Sequence, residues 1–295
     1  MSATVLDGKA IAAEIRAELK TAVSALINQG VTPGLGVILV GEDPASVSYV
    51  TAKERACAEI GIHSDDNRVS GTATQDELLA LIGKLNGAAE IDGILLQLPL
   101  PDHLDESAAL LAIDPGKDVD GLHPVNAGNL LTGRDTFFPC TPHGVVQMLM
   151  RSGVEIEGAH VVVVGRSDLV GKPLANLLIR KAPGGNATVT VCHSRSRDIA
   201  RHTRAADIVV VAAGRRDLVT ADMIREGAVV IDVGVNRIPD ESRKSGFRLV
   251  GDVDFDAIKE KASMITPVPG GVGPMTITML LYNTVESARR RAARG

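Results

Sequence analysis

The sequence predicts a two-domain α/β protein: an N-terminal α/β domain, a C-terminal doubly wound unit, and a last helix that returns to the first domain. Three observations carry that expectation. At 295 residues the chain exceeds what a typical single domain builds around one core. Apolar runs that read as buried strands alternate with helical segments: LGVILV (35–40) and GILLQL (93–98), then AHVVVVG (159–165), ATVTVC (187–192), ADIVVVAA (206–213) and AVVIDVG (228–234). The pattern restarts around PCTPHGVVQMLM, so residues 1–143 plus 275–295 are expected to form one domain and residues 144–274 the other.

The helices can be justified in order. Asp7 suits a cap for a helix that runs to about Gln29, with Ile11, Ile15, Leu19, Ala22 and Leu26 on its apolar face and Gly30 as a stop. A helix around Tyr49 and another after Thr74 lie between the first two strands, and Thr74-x-x-Glu77 fits a capping box. Pro142 suits the start of the helix that opens the second domain. The last helix is expected from Pro274 to about Arg290, and the basic RRRAARG tail is expected to be its solvated end, complementing the helix dipole.

Composition narrows the function classes. Hydrophobic residues make up 45% and the net charge is -5, which suits a soluble globular protein and argues against disorder and against nucleic acid as a partner. Cys57, Cys140 and Cys192 are odd in number and widely spaced, and none forms a Cys/His ligand cluster, so reduced thiols and no metal are expected. The N-terminal segment lacks the charged and apolar regions of a signal peptide, and no run approaches membrane-spanning length. A cytoplasmic enzyme is the expectation.

VVVVGRSDLVGKP places Gly165, Ser167 and Gly171 between a buried strand and a helix. Glycines there allow a tight turn and close approach of a phosphate to the helix N-terminus. The loop departs from G-x-G-x-x-G, since Ser167 replaces the second glycine and the third is displaced by one residue, so a merely structural turn competes with a Rossmann-like nucleotide site. The next strand ends CHSRS (192–196), with no carboxylate for a ribose 2′-hydroxyl. Arg166, Ser194 and Arg195 could instead meet a 2′-phosphate through charge-assisted hydrogen bonds, which favours NADP over NAD.

In SYVTAKERACAEIGI, helical spacing puts Tyr49, Lys53, Ala56 and Ile60 on one stripe. Lys53 could snorkel from an apolar face, could belong to a Tyr-x-x-x-Lys oxidoreductase pair, or could have another use. In short-chain dehydrogenases that pair follows the nucleotide loop, whereas here it precedes Gly165 by more than a hundred residues, and the short-chain assignment fails. Lys53 then suggests a substrate wall in a domain separate from the cofactor.

YVTAKERAC (49–57), LLQLPLP (95–101), PGKDVDGLHPVNAG (115–128), PCTPHG (139–144), GRSDLVGKP (165–173) and TPVPGGVGPMT (266–276) together closely resemble the bifunctional methylenetetrahydrofolate dehydrogenase/cyclohydrolase family, in order and over nearly the whole chain. The resemblance implies NADP-dependent oxidation of 5,10-methylenetetrahydrofolate to the 5,10-methenyl form, hydrolysis of that product to 10-formyltetrahydrofolate in the same cleft, and a homodimer associated through the cofactor domains. It implies that Lys53 is the catalytic lysine, that Gln97 orients it, that Tyr49 stacks on the aminobenzoyl ring and that Asp120 holds the pterin. Leu98, Pro99, Pro269, Gly270 and Gly271 are implied on the substrate side. Gly165, Arg166, Ser167, Val170, Gly171, Pro173, Ser194, Arg195, Val235 and Thr276 are implied on the cofactor side. Three departures stand out: Arg55 where the family often has Lys, His143 at the basic position of PCTP[KR]G, and Ser196 at the end of CHS-x-T.

The chemistry has a use for these residue types. Loss of hydride from a carbon between two nitrogens leaves a cation stabilised by both lone pairs, so that step needs positioning more than a base or a metal. Water addition to the cation needs proton handling, and a lysine near a cation on an apolar stripe loses basicity until it can act near neutral pH. A carboxylate matches the paired donors of a pterin, with Asp118 a nearby decoy for Asp120. VPGGVGP holds three glycines and two prolines in seven residues, a bent loop where backbone can approach a flat ligand. Snorkelling for Lys53, strand-end satisfaction for Gln97 and a turn cap for Asp120 are the structural alternatives. An enzyme with one of the two activities, or a silent NADP-binding regulatory protein, are the functional ones.

Overall fold

The computed structural model describes residues 2–243 and 246–293, so Arg294 and Gly295 of the basic tail lie outside the described residues. In chain order the elements are β1 (Thr4–Val5), α1 (Gly8–Asn28), β2 (Gly34–Val40), α2 (Pro44–Ile60), β3 (His63–Val69), α3 (Gln75–Gly87), β4 (Gly93–Leu96), α4 (Glu106–Ala112), α5 (Pro124–Leu131) and α6 (Cys140–Arg151). They continue with β5 (His160–Val164), α7 (Gly171–Ile179), β6 (Thr188–Cys192), α8 (Ile199–Thr203), β7 (Ile208–Val211), β8 (Val229–Asp232), β9 (Asn236–Pro239), β10 (Phe247–Val250), α9 (Phe255–Lys259), β11 (Met264–Ile265) and α10 (Val272–Ala292). Two compact units result. The first comprises Ala13–Cys140 and Ile277–Gly295, the second Met1–Ala12 and Thr141–Thr276. The two-domain α/β architecture expected from the sequence is thus present, and α10, which begins in the second unit, continues from Ile277 in the first.

In the first unit a parallel sheet of order β3-β2-β4 is built on β2, every residue of which is buried. Ile38, Leu78, Ile82, Leu85, Ile94 and Leu96 form the core on one side, contributed by β2, α3 and β4. The apolar face of α1 in this unit is Ile15, Leu19, Val23 and Leu26. Val23 takes the buried position expected for Ala22, which is only half-buried. Asp7 does cap α1, accepting from Lys9 N at 2.9 Å, and Gly30 ends it at φ 83°. The capping box at Thr74 and Glu77 is formed in both directions. β3 (HSDDNRV) has no apolar alternation, so periodicity does not find it; it is an edge strand, and its charges suit an edge exposed to water.

The second unit has a six-stranded parallel sheet of order β1-β11-β8-β7-β5-β6 and a separate antiparallel ribbon of β9 and β10. β5 and β7 pair in register from Val161 with Ile208 to Val164 with Val211, runs of β-branched residues buried on both faces as a central parallel strand requires. The core gathers Val162, Val164, Val209, Val211, Val230 and Ile265. Residues 1–143 were expected to stay together, whereas Met1–Ala12 lie in this unit, because β1 pairs with β11 and Gly8 packs backbone-close on Gly271, where a Cβ would sit 1.8 Å from the carbonyl oxygen. The helix expected from Pro142 begins at Cys140, and the one expected from Pro274 begins at Val272. Among the described residues no helix is long and apolar enough to cross a membrane.

The end of α10 is clipped to the first unit by ion pairs from Arg290 to Asp135 at 2.9 Å and from Arg291 to Asp92. Arg291 binds Asp92 through Nε at 2.6 Å and Nη2 at 2.9 Å, and Asp92, 3% exposed, also accepts from Gly34 N at 2.9 Å. Removing one partner of a buried pair strands the other charge, a loss moderated here because Arg291 is partly solvated. Arg291→Met should lower stability by about 1–3 kcal/mol, read as a lower midpoint in urea unfolding with an unchanged slope.

Candidate active site

α2 sets the first group of residues. Asp43 accepts from Ser46 N at 2.8 Å, Pro44 fills the first turn, and Gly61 in the left-handed conformation ends the helix. The buried stripe is Val50, Lys53, Ala56, Cys57 and Ile60, while Tyr49 is 47% exposed, so the tyrosine stands outside the buried stripe on which the sequence placed it. Its ring is open to a flat partner one turn before Lys53.

Gln97 follows the last residue of β4, and its backbone N–H donates to Ile38 O at 2.9 Å. Its side chain is fixed at both ends: Oε1 accepts from Lys53 Nζ at 2.9 Å, and Nε2 donates to Leu98 O at 2.6 Å. The Leu98 carbonyl fixes the amide orientation, since it can only accept. Leu98 and Pro99 come next, joined by a cis peptide bond.

The segment 117–121 lies against β4. Ile94 N donates to Lys117 O at 2.7 Å, and a Cβ on Gly93 would meet Val119 at 2.5 Å. Asp118 holds this loop: its carboxylate accepts from Gly121 N at 3.1 Å, Leu122 N at 3.2 Å, His123 N at 2.7 Å and Asn126 Nδ2 at 2.8 Å. Gly121, at φ 74°, is required because a Cβ there would lie 2.6 Å from Pro139 N. Asn283 on α10 supports the same loop through Val119 O at 2.8 Å and Phe138 O at 2.9 Å. Asp118 is therefore occupied by the structure of this loop.

Lys53, Asp120 and Cys140 share one electrostatic environment. Burial pulls the Lys53 ammonium below its ordinary value, against the attraction of Asp120. Burial pushes the Asp120 carboxyl up, with Lys53 drawing it down and Asp118 adding to the rise. The Cys140 thiol, pushed well up by burial and by Asp120, stays protonated and donates to Val119 O at 3.4 Å. Sequence reasoning treated Cys140 only as a reduced thiol; its place between Pro139 and a helix start gave no sign of this neighbourhood.

In the second unit the strand order reverses at β5, with β6 on one side and β7 on the other, the place where open parallel sheets take ligands beyond the carboxyl ends of their strands. Gly165 has φ 134°, and a Cβ on it would lie 2.1 Å from Ala212 O; one on Gly171 would lie 2.2 Å from Gly165 O. Both must be glycine. Ser167, in place of a second glycine, accepts from Val170 N at 3.1 Å and Gly171 N at 3.5 Å, so it caps α7, whose buried face includes Pro173. After β6, Ser196 accepts from His193 N at 2.9 Å, a bond that either hydroxyl amino acid can make. Asp198, a carboxylate near this strand end, caps α8 by accepting from Arg201 N at 3.1 Å. Ser194, Arg195 and Arg166 are exposed. This glycine cradle and the basic strand end fit a dinucleotide with a 2′-phosphate.

Val235 is 51% exposed beyond β8. Pro269, after a cis bond from Val268, is exposed, Gly270 has φ 107°, and Gly271 is buried with its N–H on Pro267 O at 2.9 Å. Thr276 Oγ1 lies 2.9 Å from Thr141 Oγ1. His143, at the position where a basic residue was expected, is buried in α6, and burial with Arg180 nearby lowers it to about 4, so it is neutral at pH 7. Among the described residues no cluster could hold a metal ion.

The contrast between the two aspartates has a measurable consequence. Asp118→Ala leaves four donors without their acceptor and should cost about 2–4 kcal/mol in chemical unfolding. Asp120→Asn removes a charge that burial disfavours and should leave the unfolding midpoint unchanged.

Comparison with known proteins agrees with this geometry. Residues 6–120 match the tetrahydrofolate dehydrogenase/cyclohydrolase catalytic domain, and residues 139–292 match the tetrahydrofolate dehydrogenase/cyclohydrolase NAD(P)-binding domain. The bifunctional protein FolD of Syntrophus aciditrophicus is 56% identical over 292 residues, 99% of each chain, and that of Bacillus subtilis is 54% identical over 290 residues, 98% of this chain and 99% of the other. Among solved structures, the Trypanosoma brucei methylenetetrahydrofolate dehydrogenase-cyclohydrolase complexed with NADP and an inhibitor matches with TM-score 0.94 and 44% identity over the whole of both chains. The Campylobacter jejuni enzyme matches with TM-score 0.92 and 48% identity over 98% of this chain and 100% of its own. With both family domains in order and relatives above half identity along its length, this chain belongs to the tetrahydrofolate dehydrogenase/cyclohydrolase family.

Proposed function

We propose that this chain is a bifunctional enzyme of one-carbon folate metabolism, oxidising 5,10-methylenetetrahydrofolate with NADP and hydrolysing the methenyl product to 10-formyltetrahydrofolate. The observation that carries this is the buried Lys53 amine on Gln97 Oε1 at 2.9 Å, in the electrostatic field of Asp120. A snorkelling lysine would keep its ammonium in water; this one is 9% exposed and hydrogen-bonded to a side chain that is itself anchored.

Each residue has a task in this scheme. Tyr49 offers an exposed ring for the aminobenzoyl group to stack on. Asp120 accepts the paired donors of the pterin, which fixes the one-carbon bridge relative to Lys53. Leu98, Pro99, Pro269, Gly270 and Gly271 complete the residues assigned to the substrate. NADP, held by Gly165, Arg166, Ser167, Val170, Gly171, Pro173, Ser194, Arg195, Val235 and Thr276, supplies a hydride acceptor when bound.

In the hydrolysis, a water oxygen bonds to the methenyl carbon while its proton passes to the Lys53 free amine. The bond from that carbon to N5 then breaks as N5 takes that proton back from Lys53, the hydroxyl releases its own proton to solvent as the carbonyl forms, and the formyl group remains on N10. Gln97 holds Nζ in place through its Oε1, and burial supplies the free amine by disfavouring the ammonium.

The functional division assigns folate to residues 1–143 plus 275–295 and NADP to residues 144–274, with β1 lending only sheet pairing to the cofactor side. A homodimer through the cofactor domains, a cytoplasmic location and no nucleic-acid partner complete the assignment; sedimentation of the purified chain tests the dimer.

Lys53→Met separates the two reactions. Methionine keeps a chain of similar length on the Val50, Ala56, Ile60 stripe, so packing changes little while the amine is lost. Hydrolysis of methenyltetrahydrofolate, corrected for its spontaneous rate, should fall by about 10²- to 10⁴-fold, while some NADP-dependent oxidation remains. The pH profile gives the sign: a lowered pKa frees the amine at lower pH, so the parent rate should rise with pH through a midpoint below 10.5, and the variant should lack that limb. Hydrolysis at the parent rate by folded Lys53→Met would leave the lysine a packing residue.

Arg166 is exposed beside the glycine cradle. Arg166→Ala should weaken NADP by roughly 10-fold or more and NAD much less, since only the former has a 2′-phosphate to lose its partner. Equal losses in calorimetric titrations of the two dinucleotides would show that Arg166 does not read that phosphate.

A further inference from the structure

Two carboxylates at the carboxyl edge of the six-stranded sheet have no task in the chemistry above. Asp232 ends β8 and Asp252 lies between β10 and α9; they are 2% and 0% exposed. Asp252 Oδ2 accepts from Ala213 N at 2.7 Å and Gly214 N at 2.8 Å, and its Oδ1 accepts from Asn236 Nδ2 at 2.8 Å. Asn236 Nδ2 also donates to Gly251 O at 3.0 Å. Asp232 accepts from Gly234 N at 3.0 Å, Asp252 N at 2.9 Å and Val253 N at 3.1 Å, and its own N–H donates to Thr266 Oγ1 at 2.7 Å.

One continuous network therefore joins the loop after β7, the loop after β8, the segment 251–253 and the end of β11. The acids are seated where only glycine fits beside them: a Cβ on Gly234 would lie 2.1 Å from Asp252 Cγ, and one on Gly251 would lie 1.7 Å from Asp232 Oδ2. The sheet does not need them for pairing, because β7, β8 and β11 are joined by their own ladders. What they constrain is the irregular chain beyond the strands. The loop after β7 flanks Gly165 through Ala212 O, and Val235 stands between Gly234 and Asn236, both of which the network ties down.

We infer that Asp252 is a positioning residue for the dinucleotide: without touching it, its carboxylate holds the loops after β7 and β8 in the arrangement that receives it. The inference rests on the assignment of NADP to this unit. A carboxylate is required because all three groups around it are donors. An asparagine could serve Ala213 and Gly214 with its oxygen, but its amide nitrogen would then face that of Asn236, donor against donor.

The test uses the full-length chain with Asp252→Asn and, separately, Asn236→Ala, each measured by calorimetric titration with NADP, by thermal unfolding and by methenyltetrahydrofolate hydrolysis. NADP binding should weaken about tenfold in Asp252→Asn, as expected when a buried donor loses its acceptor, and less, in the same direction, in Asn236→Ala. Hydrolysis, which uses Lys53 and not the dinucleotide, should stay within about twofold of the parent. Unchanged NADP affinity in folded Asp252→Asn overturns the inference, as does a parallel loss of NADP binding and hydrolysis, which would mark a general structural role. Should Asp252→Asn fail to fold, Asn236→Ala decides alone, and unchanged affinity there overturns the inference. A parent chain that binds no NADP would instead overturn the assignment of the cofactor.

Discussion

A buried carboxylate that accepts several backbone N–H groups is the interaction on which the loops of both units depend. Asp118 binds three amides and the Asn126 side chain, Asp252 two amides and the Asn236 side chain, and Asp232 three amides. An irregular segment cannot satisfy its donors from a ladder, so a buried one needs an acceptor brought to it. An ionised carboxylate brings two oxygens and a full charge, enough to organise a whole turn. Burial opposes the charge, and at Asp232 it prevails over the amide bonds, pushing the carboxyl up to about 6.

Lys53 obeys the opposite logic. Its amine is buried, and its partner at 2.9 Å is the neutral amide oxygen of Gln97 rather than a carboxylate. A direct ion pair would hold the ammonium and raise its pKa; an amide orients it without matching the charge. Asp120 is close enough to act electrostatically, and burial shifts the two groups in opposite directions, each opposed by the attraction of the other.

How much of this the sequence disclosed depends on what each residue answers to. β5 and β7 were legible because strands buried on both faces must be apolar throughout, and VVVV and IVVV are. β3 was not, because an edge strand facing water carries no such demand, nor was the β9 and β10 ribbon, with its alternately exposed NRIP. Two-residue strands such as β1 and β11 are set by tertiary pairing alone, which is why the first twelve residues were expected in the other unit. Tyr49 was misplaced for a related reason: helical spacing fixes which residues share a face, but not how far along the helix the cover extends.

The site residues divide in the same way. Gly165 and Gly171 could be read from spacing because a strand, a turn and a helix impose their requirement locally. Asp118 and Asp120 could not be separated locally, since they differ by two residues and have the same side chain. What separates them is that Gly121, Leu122, His123 and Asn126 turn back over Asp118, which requires Gly121 at φ 74° and Asn283 on a helix more than a hundred residues away to hold the loop. The same holds for Asp232 and Asp252, whose flanking glycines mark close approach of something but not of each other. The structural role of Asp118, Asp232 and Asp252 is thus decided by how many backbone donors the fold turns toward each, which spacing along the chain does not reveal.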